Sequence, residues 1–153
     1  MCRICWFMVL ILAVSVSALV YLFVVRGVTV PASDGRTAIL LAPAERDLVL
    51  TEMRGFLAAV QSITEGVVNE DPAAVAAAAR SAGAPAQHSV PASLVGKLPL
   101  AFKRLGFDTH GRFDQLALDV GQFGDTSQVL PELVALMNNC VACHAAYRID
   151  LEP

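Results

Sequence analysis

The chain has 153 residues, enough for one small domain, with 56% hydrophobic residues and a formal net charge of −3. Setting aside Arg3 and Arg26 of the 11 basic residues leaves 9 against 14 acidic ones, a balance of −5 over residues 27–153 that argues against nucleic acid, which demands a basic patch. Beyond residue 26 the only cysteines are Cys140 and Cys143, too few for a disulfide-stapled domain.

Ile4 to Val25 is a run of 22 residues without a charge, flanked by Arg3 and Arg26. A helix of that length crosses a hydrocarbon core of roughly 30 Å. The apolar core of a signal peptide is usually shorter, roughly 7–15 residues. An uncleaved anchor over residues 1–27 is therefore the expectation. A signal cleaved near Val30-Pro31-Ala32 is the alternative, and the rest of the chain is exported either way. Cys2 and Cys5 also stand three apart, but Trp6 follows them, and they are given no cofactor.

Residues 28–42 read as a linker, polar from Val28 to Thr37, with Pro31, Ser33, Asp34 and Gly35. The first long helix is predicted from about Pro43 to Val68, since proline suits a first helical turn. Met53, Phe56, Leu57, Val60, Ile63 and Val67 recur at spacings of three and four and form one apolar stripe. Asp71-Pro72 reads as an N-cap followed by proline at the first helical position, opening an alanine-rich second helix that stops at Gly83. Ala84 to Gly106, with three prolines, reads as a long connection that wraps a ligand or carries one or two short turns. His88 lies there as a solvated side chain.

A third helix is expected from about Thr109, with a stripe of Phe113, Leu116, Ala117 and Val120. His110 at its start reads as a surface or capping histidine. The last helix is expected to begin between Thr126 and Pro131 and to run to about Ile149, with Val129, Leu130, Leu133, Leu136, Met137, Cys140 and His144 on its inner face. No strand pattern of length is apparent. The expected fold class is all-α, a four-helix bundle over residues 43–153 with a cofactor between facing helices.

Cys140-Val141-Ala142-Cys143-His144 reads C-x-x-C-H, the attachment signature of a c-type haem. Two thiols three positions apart on one helical turn can join two vinyl groups of one haem. The next residue, His144, then reaches the iron as the proximal ligand. Three other readings fit less well. Zinc normally needs four ligands, and no second pair is present. A redox dithiol would sit near a βαβ pattern. A disulfide across C-x-x-C within a helix is strained.

Four helices with C-x-x-C-H on the last one resemble cytochrome c′ and its low-spin relatives. The local match is Cys140-Val141-Ala142-Cys143-His144-Ala145-Ala146-Tyr147-Arg148, against a family pattern C-x-x-C-H-x-x-Y-R, and the likeness covers about residues 40–150. The resemblance implies an antiparallel four-helix bundle, one covalent haem c and a role in electron transfer or small-gas binding. It also implies a basic residue near the proximal histidine, here Arg148, although an ordinary solvated arginine fits as well. The long proline-containing connection departs from the plainest family pattern.

The distal ligand decides between the two roles. Met137 lies on the same helix as His144, seven residues before it, on the same side of the ring. Met53 lies on the inward stripe of the first helix, and low-spin relatives take their distal methionine from that position. A core methionine that merely fills space is the alternative, and His110 and His88 are rival distal ligands, though a surface or capping role for His110 and a solvated one for His88 fit better. The expectation is a membrane-tethered or periplasmic carrier of single electrons, with Met53 and His144 on the iron. A five-coordinate protein that binds nitric oxide or carbon monoxide is the alternative, and an interaction module with an incidental motif is a third reading. No constellation for an enzyme appears. The implied partners are redox proteins on the periplasmic side and the membrane, with no nucleic acid and with a homodimer through the first two helices permitted by the thin alanine helix.

Overall fold

A computed structural model describes residues 3–85 and 90–153; Cys2 and His88, both considered above, lie outside the described residues. The N-terminal helix α1 (Arg3–Val20) continues as π-helical turns over Tyr21–Arg26. These 24 residues have a mean hydropathy of 2.8, bury nothing against the rest of the chain, and are long and apolar enough to cross a bilayer or to serve as a secretory signal.

The stretch expected to be a linker is instead a pair of strands. β1 (Thr29–Pro31) and β2 (Thr37–Leu41) form an antiparallel hairpin. A third strand, β3 (Tyr147–Leu151), pairs parallel to β2 in the register Thr37↔Tyr147 to Leu41↔Leu151. The fold is therefore predominantly helical with a small sheet, and the all-α expectation is corrected. The physical reason lies in side-chain alternation. In β3, Tyr147, Ile149 and Leu151 alternate with Arg148 and Asp150, the period of a half-buried strand. Its partner β2 buries Ala38, Ile39 and Leu41.

The helices are α2 (Pro43–Val68), α3 (Pro72–Ser81), α4 (Ala92–Lys97), α5 (Leu100–Phe123) and α6 (Val129–Ala146). α2 and α3 begin where the sequence puts them. Glu45 accepts a hydrogen bond at 3.0 Å from the Ala42 backbone N–H, and the Asp71 carboxylate accepts from Ala74 N at 2.9 Å. α5 starts at Leu100, nine residues before the expected Thr109, because Pro99 stands just before its first turn and Leu105, Thr109 and Phe113 continue one face. The connection from Ala84 is shorter as a result and carries α4. α6 ends at Ala146, not near Ile149.

α2 packs on α3, α3 on α5 and α5 on α6, while α6 returns to α2 through only a few contacts. Two cores result. Ile63, Val75, Ala79, Phe113, Leu116, Val120, Leu133 and Leu136 fill the space among the long helices. Ile39, Leu41, Val49, Leu94 and Leu98 join the sheet to α2 and α4, with Met53, Phe102 and Tyr147 packed against them. α6 is also long and apolar enough to cross a bilayer, with a mean hydropathy of 1.3, but its Leu133 and Leu136 belong to the first core.

Candidate functional site

Where α6 parts from α2, a cavity of about 560 Å³ opens between α2, α5 and α6. Its volume is that of a typical cofactor pocket. α6 contributes Met137, Cys140, Val141, Cys143 and His144. α2 contributes Met53, Phe56, Leu57 and Val60, and α5 contributes Phe102, Leu105, Thr109 and His110. The fold thus brings together, on facing helices, the C-x-x-C-H residues and the inward stripe of α2.

Helical spacing explains the α6 side. Cys143 and His144 follow Cys140 by three and four positions, so all three emerge on adjacent faces of one turn. His144 is exposed at the rim, while the two thiols are half-buried and form no disulfide. Burial pushes the Cys140 thiol up, and burial followed by the neighbouring Cys140 pushes Cys143 up to about 11. Both stay protonated at neutral pH. A redox-active C-x-x-C needs a lowered thiol pKa, so this pair does not fit that chemistry. Among the described residues no group of three or more His, Cys, Asp and Glu side chains gathers to hold a bare metal ion. A macrocycle that brings its own four equatorial nitrogens asks the protein only for axial ligands and anchoring thiols. The donor set and the apolar walls fit a haem on those terms.

Met53 lines the cavity from α2, opposite α6, and it also packs against the Ile39–Leu41–Val49 core. Arg148 does not sit one helical turn after His144. It lies on β3, where it donates to Asp150 at 2.9 Å and lies 3.4 Å from Asp34. The reason is the change from helix to strand at Tyr147, which swings residue 148 off the helical path. A different arginine reaches the end of the haem-motif helix. Arg36, in the β1–β2 turn, directs Nη1 to the carbonyls of His144 (3.4 Å) and Tyr147 (3.3 Å), while its other nitrogens grip Asp34 at 2.7–2.9 Å. The last carbonyls of a helix lack partners within it, and a cation there also complements the helix dipole. Asp34 is in turn held down to about 2 by its hydrogen bonds to Arg36.

His110 corrects another expectation. It is neither a cap nor a surface group, being only 3% exposed. Its Nδ1 lies 2.7 Å from the Ala82 carbonyl and 3.1 Å from that of Gly83, and its Nε2 lies 3.1 Å from Glu52 Oε1. A Cβ at Gly83 would displace the Asp114 carboxylate, which accepts a hydrogen bond from Ala84 N at 2.9 Å. Every partner of the ring is an acceptor, which favours the imidazolium. Burial opposes that charge, but the Glu52 carboxylate and the two carbonyls outweigh it, and the His110 pKa rises. Phe56 stacks on Phe113 at 5.6 Å and leans on the His110 ring at 4.8 Å. With both nitrogens engaged, His110 is a fixed wall of the cavity rather than a free ligand.

No protein-family model, no curated protein and no solved structure matches this chain.

Proposed function

We propose that the chain is a c-type cytochrome, a single-electron carrier with one covalent haem, held at a membrane by α1. We further infer that the ring α2–α3–α5–α6 is the antiparallel four-helix bundle of the cytochrome c′ class, with the sheet as an addition at the anchor end. One observation carries the reading: Cys140, Cys143 and His144 line one apolar cavity together with Met53 on the facing helix.

When bound, the haem supplies reversible ferrous–ferric exchange, and no substrate bond is made or broken. Cys140 and Cys143 tether it to α6. His144 would hold the iron through an imidazole nitrogen on α6, and Met53 through its thioether sulfur on α2. Phe56, Val60, Phe102 and Leu105 would screen the group from water, an apolar setting that favours the less charged iron. Asn139 fixes the α5–α6 wall by donating to Asp108 (2.7 Å) and Thr109 (3.3 Å). The anchor keeps this domain among membrane redox partners on the exported side and raises their effective concentration.

A second reading rests on the packing of Met53. Its contact with the sheet core would equally hold it as a filler, leaving the iron five-coordinate and open to nitric oxide or carbon monoxide. Expression with a haem-maturation system separates these outcomes. Covalent haem that survives acid-acetone extraction is expected, with a low-spin ferric spectrum. A high-spin spectrum selects the gas-binding reading, and a colourless or fully extractable product sinks both.

A further inference from the structure

The anchor does not join the domain through a flexible spacer. Tyr21–Arg26 runs beside α4 and α5 with its side chains exposed. Gly27 then turns the chain at φ +64°, a conformation that favours glycine, and a Cβ there would collide with the Lys97 carbonyl at the α4–α5 joint. The next residue locks the arrangement. Val28 N–H donates to Lys97 O at 2.8 Å, and Leu40 N–H donates to Val28 O at 2.9 Å. A membrane helix ending at Arg26 therefore fixes which face of the domain lies nearest the bilayer. That face is the α4–α5 joint and the first turns of α5.

Those turns carry Lys103 and Arg104, one turn past Pro99, whose carbonyl accepts from Lys103 N at 3.0 Å. They stand about 5 Å along the helix from the joint. Among the described residues no carboxylate pairs with Lys103 or Arg104; Arg46, Arg54 and Arg80 also lack one, but only Lys103 and Arg104 stand in the first turns of α5 beside the joint. Asp108, the nearest acid on α5, is taken up by Arg112 at 2.6 Å and Asn139 at 2.7 Å. Phe107 follows Lys103 by four positions and Arg104 by three, on the same face, and is 58% exposed. Two free cations beside an exposed aromatic ring, fixed next to the end of an apolar helix, suit an anionic bilayer surface.

We propose that Lys103 and Arg104 seat on anionic phospholipid headgroups and that Phe107 enters the interfacial zone. This rests on α1 being a retained anchor, and it deepens the functional reading. Phe102, Leu105 and Gly106 of the same two turns line the cavity, so seating holds the cavity at the bilayer surface, where it meets partners that reside in the membrane.

The test uses the full-length haem-loaded chain in nanodiscs, with Trp6→Phe removing the single native tryptophan and Phe107→Trp as reporter. Acyl chains brominated near the headgroup are the quencher, each signal being read as a ratio to the same chain in discs of unbrominated lipid so that the constant quenching by the haem cancels. Phe123→Trp, at the far end of α5, is the control. Phe107→Trp should be strongly quenched in phosphatidylglycerol-containing discs, and less so in pure phosphatidylcholine or at high salt. Lys103→Gln with Arg104→Gln should lower the seated-to-unseated ratio by about thirtyfold, from roughly 1 kcal/mol per basic residue at an anionic surface. Quenching of Phe107→Trp no greater than that of Phe123→Trp, in chain that co-elutes with the discs, overturns the seating and leaves the anchor standing. A chain that does not co-elute with discs at all overturns both.

Discussion

His110 Nε2 lies 3.1 Å from Glu52 Oε1, a pairing of α5 with α2 across one wall of the candidate haem cavity. A raised histidine pKa stabilises the fold fully below the unfolded value of about 6.5, and the contribution is lost as pH climbs through the higher folded value. The urea midpoint should therefore fall as pH rises from below 6.5 through the raised value. His110→Gln should flatten that slope. Glu52→Gln should move the His110 titration, followed by NMR, downward, because burial then faces less opposition. A slope that is unchanged in His110→Gln would place the titration elsewhere.

The two motif thiols should be slow nucleophiles before haem is added. With Cys143 pushed up to about 11 and Cys140 also raised, little thiolate exists at pH 8. Iodoacetamide should label both far more slowly in the folded protein than after unfolding in urea, as read by peptide mass spectrometry. Fast labelling of Cys143 in folded protein would contradict the apolar setting described for it.

Met53→Leu is close to volume-conserving and should cost less than about 1.5 kcal/mol of stability. If Met53 ligates iron, the substitution should convert a low-spin ferric spectrum to high-spin, lower the potential and speed carbon monoxide binding. A low-spin spectrum that survives the change would remove Met53 from the iron.

Gly27→Ala should disturb the joint between anchor and domain. A side chain at that φ costs about 1–3 kcal/mol, and the clash with the Lys97 carbonyl adds to it. Limited proteolysis of detergent-solubilised protein should then cut within residues 27–42 faster than in the parent chain. Equal cleavage rates would mean that the joint is not rigid.

Phe113 is fully buried at the centre of the larger core. Phe113→Ala should destabilise the protein by about 3–5 kcal/mol through lost burial and the cavity left behind. Because Phe56 stacks on Phe113, the same change should loosen the cavity wall, read as a broadened haem spectrum in whatever folded protein remains.

Local signals in the sequence determined much of this molecule. Uncharged length marked the N-terminal helix. Pro43 and Asp71-Pro72 marked the starts of α2 and α3 through the chemistry of helix ends. The period of the stripes placed Phe56, Val60, Ile63, Phe113, Leu116, Leu133 and Leu136 inside, and the spacing of Cys140, Cys143 and His144 put them on one turn. These properties depend on neighbours a few residues apart, so they are written in the chain.

Tertiary structure alone decided the rest. β2 is too short to announce itself. The alternation of Tyr147, Ile149 and Leu151 was visible, but it gains meaning only from a parallel partner more than a hundred residues upstream. Arg148 left the proximal side because that pairing ended α6 early, and Arg36 took the helix end because the hairpin delivered it there. His110 became a buried wall only once α3 offered two carbonyls and α2 offered Glu52. Each of these outcomes depends on groups distant in sequence that only the packed chain brings within hydrogen-bonding reach.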